Sequence, residues 1–273
     1  MPVADLTGIQ LKLDRAKEHL KTLKDVIDGF DEDHPEASRF HIRRHGKWHI
    51  IESQPLPETP PMCAVIAGDF IYNLRSALDQ LVWQLILREG KEPQRRSQFP
   101  IYDSEDQWLD EVRYRLPERN RPLCGLTVGG DAWALIEEAQ PYRSSNVMTN
   151  LFAIIRRLSN LDKHRMLYTA LIFPDLEHLE DVVGWNPDAR LLEQRRTASH
   201  LATDQPTEIW RLRFEQPPGP GVYVKGRLTV FPTIGEGDHD GAVQMGMVGG
   251  LEMLLVRVEA FVAAIRQLPN VAN

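Results

Sequence analysis

The sequence is short of several things, and each shortage closes off a class of function. It holds two cysteines, Cys63 and Cys124, in 273 residues. Two thiols so far apart make neither a disulfide framework nor a zinc site, so both are expected to be reduced and structural. It has no apolar run of about 18 residues and no charged start leading into an apolar segment, so neither a membrane-spanning helix nor a signal peptide is expected. The expected compartment is the cytoplasm, with no membrane partner. Basic charge is not in excess: 32 Lys and Arg stand against 39 Asp and Glu, a formal charge of -7, which argues against a broad nucleic-acid coat. Two local basic clusters, Arg88, Lys91, Arg95 and Arg96, then Arg113, Arg115, Arg119 and Arg121, read as solvated faces or loops. There is no G-x-G-x-x-G, P-loop, H-E-x-x-H or G-x-S-x-G, so the mechanical signatures of nucleotide, zinc-protease and hydrolase chemistry are missing. No internal repeat is evident, and no cofactor or resident metal is expected.

What is present is strong helical patterning. Ile9, Leu13, Ala16, Leu20, Leu23, Ile27 and Phe30 step by four and three, the seam of a long helix that Gly29 and the acidic residues after it should end. A homodimer through this seam is an alternative to packing within the chain. After the Pro-rich connector 55–61, a second helix over 62–89 carries Ile66, Phe70, Ile71, Leu74, Leu78, Leu81 and Leu85 on one face. Short helices are expected around Ser104–Arg115 and Asp131–Glu138. A core helix is predicted over 147–165, with Leu151, Ile154, Ile155, Leu158 and Leu161 as its stripe, and another over 247–268. Residues 39–53 read as a β-hairpin around His45-Gly46, and His41, His45 and His49 on such extended chain do not make a metal site. Met166–Phe173, Ile209–Phe214 and Val222–Phe231 read as strands, the last two joined as a hairpin by the Gly-Pro-Gly at 219–221. Residues 175–204 read as a polar excursion with at most one short strand or helix. The predicted fold is therefore α+β, a single domain over 1–273. Its helical bundle (5–30, 62–165, 247–268) packs against an antiparallel sheet made of the N-terminal hairpin and strands from 166–232.

Two polar surfaces interrupt this pattern. On the second helix Asp69, Asn73, Ser76 and Gln80 form a stripe bordered by Tyr72, Asp79 and Trp83, with Arg75 and Asp79 an i,i+4 pair. The two large aromatics suggest that something covers this side. On the later helix, if it continues through Lys163, Arg157, Asn160 and His164 line one flank. Asp162 points toward the apolar stripe, where an ionised carboxylate needs a partner such as Lys163 or Arg165. Cations at a helix end also complement its dipole, so a terminal Asp-Lys-His-Arg requires no chemistry.

The ordered set NLRSALDQLVWQL (73–85), QFPIYDSE (98–105), QPY (140–142) and LSNLDKHR (158–165) resembles a family of uncharacterised proteins from bacteria and their phages, over roughly residues 5–170. That resemblance implies a shared fold. A second similarity is to HEPN domains, helical bundles in which an arginine and a following histidine on one helix cleave RNA without metal. It implies a metal-independent ribonuclease of a toxin or phage-defence type, acting on RNA as a dimer. Carried over by position, the pair is Arg157 and His164, with Asn160 beside them. His164 would act as acid or base, Arg157 or Arg165 would hold the phosphate, and Asp69, Asn73 or Asp79 would orient the imidazole. Two alternatives stand beside it. One is a non-catalytic interaction or ligand-binding protein whose polar residues, including Arg75, Asp162 and Lys163, form a buried network. The other is a metal-dependent hydrolase on Asp69, Asp162 and His164.

Overall fold

A computed structural model of the chain describes residues 2–34, 40–53, 58–114, 117–172, 183–186, 188–197, 206–215, 222–224, 231–235 and 244–271. The fold is α+β, long helices with an antiparallel four-stranded sheet. Its contacts sort into two compact units. The first comprises Met1–Leu23, Ala64–Tyr168 and Gly235–Asn273, and the second Lys24–Cys63 and Thr169–Ile234.

The first unit is helical. Helix α1 (Thr7–Asp33) gives it Ile9, Leu13, Ala16 and Leu23, all buried. Helix α2 (Pro61–Arg88) begins on a proline, whose missing N–H costs nothing at a helix start. From Cys63 to Ile86 one face of it, including Phe70, Ile71, Leu74, Leu78, Leu81, Val82, Leu85 and Ile86, is fully buried, which makes it the axis of the unit. After a loop come α3 (Glu105–Trp108), which runs on as a π-helical turn over Leu109–Tyr114, and α4 (Asp131–Glu138). Helix α5 (Leu151–Asp162) is shorter at both ends than its periodicity predicts. The Asn150 side chain accepts from the N–H groups of Phe152 and Ala153, so the helix is capped there and not at 147. Asn146 meanwhile turns the chain by accepting from Met148 N–H at 2.9 Å. Helix α6 (Met247–Arg266) buries Leu251, Leu254, Val258, Phe261, Val262 and Ile265. Phe99, Phe152 and Phe261 form a ring triad with centroids 5.3–5.7 Å apart, which anchors the loop after α2 to α5 and α6.

The second unit is built on the sheet β1-β2-β6-β5, every neighbour antiparallel. Strands β1 (Phe40–His45) and β2 (Trp48–Ser53) are the expected hairpin, with Gly46 supplying the positive φ of 60° at its tight turn. Strand β6 (Glu208–Phe214) lies between β2 and β5 (Leu191–Arg196). Its Ile209, Trp210, Leu212 and Phe214 pack with Phe30, Ile51 and Val183 as the core of the unit. Elsewhere β3 (Tyr168–Ile172) lies beside β8 (Phe231–Gly235), and β4 (Val183–Gly184) pairs with β7 (Tyr223–Val224).

Three expectations are corrected. Gly29 does not end α1, because an isolated helical glycine costs only about 1 kcal/mol and the next residue, Phe30, is held in a core. The 175–204 stretch contributes two strands, β4 and β5, since Leu191–Arg196 finds a partner edge on β6 that its weak alternation gave no sign of. Strand β6 does not form a hairpin with the strand that follows it, because β2 and β5 occupy both its edges. The Gly-Pro-Gly at 219–221 lies outside the described residues.

Candidate functional site

The first unit contains a cleft of about 340 Å³ between α2, α5 and the extended segment 98–102. Arg75 and Asp79 of α2 form one wall, Arg156, Ser159, Asn160 and Lys163 the other, with Tyr102 and Glu111 also lining it. A second lobe of about 300 Å³ shares Arg75, Asp79, Ser159 and Lys163 and adds Tyr72, Ser76, Gln80 and Trp83. Both walls follow from helical geometry. Residues 156, 159, 160 and 163 stand at i, i+3, i+4 and i+7, and residues 72, 75, 76, 79, 80 and 83 extend the same spacing along α2.

The extended segment is held almost entirely by side chains. Arg75 donates to Phe99 C=O at 2.7 Å while Asp79 accepts from Phe99 N–H at 2.9 Å, so the ion pair clasps both polar groups of one residue. The buried Gln140 donates to Pro100 C=O at 2.9 Å and accepts from Tyr102 N–H at 3.1 Å. Arg156 donates to Ile101 C=O at 3.3 Å and pairs with Asp103. The four segments that carried the family resemblance are therefore the four that meet here. The Phe99, Gln140 and Arg156 contacts tie QFPIYDSE to NLRSALD, QPY and the helix leading into LSNLDKHR.

The electrostatics follow from enclosure. Burial pushes the Asp79 carboxyl above its ordinary range, against the opposing pull of Arg75, the Phe99 N–H and Lys163. Burial also pushes the Tyr102 phenol up, reinforced by its 3.0 Å hydrogen bond to Glu111. The π-helical turn carries Glu111 into the cleft; such turns recur at functional positions. Lys163 makes no ion pair among the described residues, and Ser159 is buried with no side-chain hydrogen bond among them.

Of the residues singled out in the sequence, the cleft brings together Arg75, Asp79, Asn160 and Lys163, and its second lobe adds Tyr72, Ser76, Gln80 and Trp83. The others lie elsewhere. Asn73 is buried and donates to Asp69 C=O in its own helix at 2.8 Å. Helix α5 ends at Asp162 with Lys163 as its C-cap, so His164 and Arg165 sit in an exposed turn and not on the helix. Arg157 reaches back to Met148, donating to its C=O at 2.6 Å and to its sulfur at 3.2 Å. Asp162 does not point into the core. It is exposed and lies over Gly68, where an added Cβ would stand 2.3 Å from its Oδ1. Partial desolvation of the carboxylate where it packs over Gly68, then nearby Asp69, push its carboxyl up. Asp69 and Asp162 do meet, yet among the described residues no group of three His, Cys, Asp or Glu is placed to hold a metal ion. Tyr72 and Trp83 are 60% and 44% exposed, with the Lys12 ammonium over the Tyr72 ring at 5.2 Å.

Sequence reading missed Arg156, Ser159, Tyr102, Glu111 and Gln140. The first two were within reach, since the flank they share with Asn160 and Lys163 lies one residue around the wheel from the one chosen. Gln140, Tyr102 and Glu111 gave no periodic signal. No helix among the described residues is long and apolar enough to cross a membrane. No family model, curated protein or solved structure matches the chain.

Proposed function

We propose that the protein is a non-catalytic binding protein for a small organic anion with a planar body, taken up in the two-lobed cleft. The observation that carries this is the shared wall, where Ser159 and the Lys163 ammonium, in no ion pair among the described residues, stand between a polar lobe and one flanked by exposed Tyr72 and Trp83. Arg75 and Arg156 are already neutralised by Asp79 and Asp103, which leaves Lys163 as the charge offered to a ligand. The exposed aromatics offer a stacking surface for a planar group. Binding is favoured over catalysis because the lining residues include no histidine or cysteine, and Asp79, the buried carboxylate, already holds Arg75 and the Phe99 N–H. Cavities of this size suit small molecules.

The test is a thermal-shift and tryptophan-fluorescence titration with nucleoside 5′-monophosphates and indole-3-acetate as probes. At least one probe is expected to raise the melting temperature, with affinity falling about tenfold in Lys163→Ala and in Trp83→Ala. No response from any probe, or a response unchanged in both folded variants, sinks the proposal. The ribonuclease alternative draws its support from the Arg157–His164 spacing alone. Metal-independent cleavage of single-stranded RNA, lost in His164→Ala, would install it instead.

A further inference from the structure

We infer that the first unit carries a second site, separate from the cleft, that binds the phosphate chain of a small oligophosphate through Arg95, Arg96 and Arg119. Arg95 and Arg96 come from one basic cluster of the sequence and Arg119, more than twenty residues on, from the other, yet the fold brings them to one concavity of about 450 Å³, lined by these arginines with Gln94 and Asn120.

Both supporting segments are fixed by backbone hydrogen bonds. Ser97 N–H donates to Gln94 C=O at 2.9 Å, and Gln94 N–H donates to the Ser97 hydroxyl at 2.8 Å. These close a four-residue turn with Arg95 and Arg96 at its two central positions, where side chains project from the chain. Arg119 belongs to a 3-10 turn over Glu118–Asn120, and Asn120 N–H donates to Pro117 C=O at 2.7 Å. The Gln98 N–H donates to Pro122 C=O at 3.3 Å and ties one segment to the other.

Among the described residues the charge of this concavity is unanswered. Arg75, Arg88 and Arg156 each hold a carboxylate, whereas Arg95, Arg96 and Arg119 make no ion pair or hydrogen bond among the described residues. Three guanidinium groups around one hollow repel one another, and a multivalent anion removes that repulsion. Guanidinium forks match phosphate oxygens two at a time, and the Gln94 and Asn120 amides add neutral donors. Among the described residues no aromatic side chain lines the hollow, so none of them offers a surface on which to stack a base. It therefore reads the phosphate chain, whether that chain is free or is the tail of a nucleotide. A bounded hollow on a chain of net charge -7 favours a discrete ligand over a nucleic-acid backbone.

Calorimetric titration of the full chain at low ionic strength tests this with inorganic tripolyphosphate, a nucleoside triphosphate, inorganic monophosphate and a single-stranded RNA oligonucleotide. Tripolyphosphate is expected to bind, with monophosphate about tenfold weaker or more. In Lys163→Ala, where the cleft is weakened, a nucleoside triphosphate equal to tripolyphosphate marks the bare chain as the ligand, and one that binds more tightly marks a nucleotide; either supports the site. The R95A/R96A double variant and, independently, R119A should each weaken tripolyphosphate about tenfold or more. R95K/R96K keeps the charge but not the fork and should still bind more weakly than the parent. Lys163→Ala leaves this binding unchanged, so the site stands or falls apart from the cleft. Absence of binding by the folded protein, or binding equal in the parent and both alanine variants, overturns it. RNA bound more tightly than tripolyphosphate and with a steeper salt dependence replaces it with a nucleic-acid surface.

Discussion

The two units satisfy extended backbone in opposite ways. In the sheet, β2 is paired on both edges by β1 and β6, backbone to backbone, and charged side chains pair across adjacent strands, Arg43 with Glu52 and Arg213 with Glu193. In the helical unit, segment 98–102 has no strand paired with it among the described residues. Arg75, Asp79, Gln140 and Arg156 take up five of its backbone groups with side chains. A buried N–H or C=O must be paired in either setting. A ladder tolerates any side chains that alternate correctly, whereas a side-chain clasp requires particular residues at particular places. A cleft lies alongside the clasped segment.

The comparison breaks most readily at Gln140, which is 1% exposed and makes hydrogen bonds to Pro100, Tyr102 and Ile136. Gln140→Leu leaves Pro100 C=O and Tyr102 N–H buried and unpaired, at a cost of about 3 kcal/mol. Urea denaturation should show this as a lowered midpoint. A loss under about 1 kcal/mol would mean that the clasp decorates a segment held by the Phe99 ring alone.

A smaller effect, dependent on pH, is expected at Asp79. Its carboxyl is pushed up in the folded protein by burial, so the native state holds a proton more tightly than the unfolded chain does. That contribution to stability is complete at acid pH, below the ordinary carboxylate range, and is lost as pH rises through the raised value. Asp79→Asn cannot titrate. The melting temperature of the variant should therefore improve relative to the parent between pH 4 and pH 7. A parent that instead gains on the variant with rising pH would show that Arg75 and the Phe99 N–H outweigh burial.

This division also explains what could be read from the sequence. Repeating contacts leave repeating patterns: the α1 seam, the buried face of α2 and the tight turn at Gly46 all announce themselves. The stripe on α2 was legible for the same reason, and it delivered Arg75 and Asp79. Contacts made once leave no period. Gln140 reaches forty residues back along the chain, and nothing in Gln-Pro-Tyr indicates that its amide brackets a distant segment. The error on α5 was one of phase. Asn150 caps the helix and Asp162 closes it, so the terminal His164 never joins the face that its number predicts. Strand β5 was missed because Leu-Leu-Glu-Gln-Arg-Arg alternates poorly, and only its partner edge makes it a strand.

The least effect is expected where the sheet carries its charge. Arg213 donates to Glu193 across β5 and β6 at 2.9 and 3.2 Å, and both side chains are more than a third exposed. Solvent screens such a pair, and Gln in place of Glu keeps an acceptor of the same shape. Glu193→Gln should therefore change stability by no more than about 0.5 kcal/mol, at low and high salt alike. Measured in the same urea series as Gln140→Leu, it supplies the other end of the scale. A cost near that of Gln140→Leu would mean that the sheet too depends on named side chains, and that its ladder alone does not hold β5 against β6.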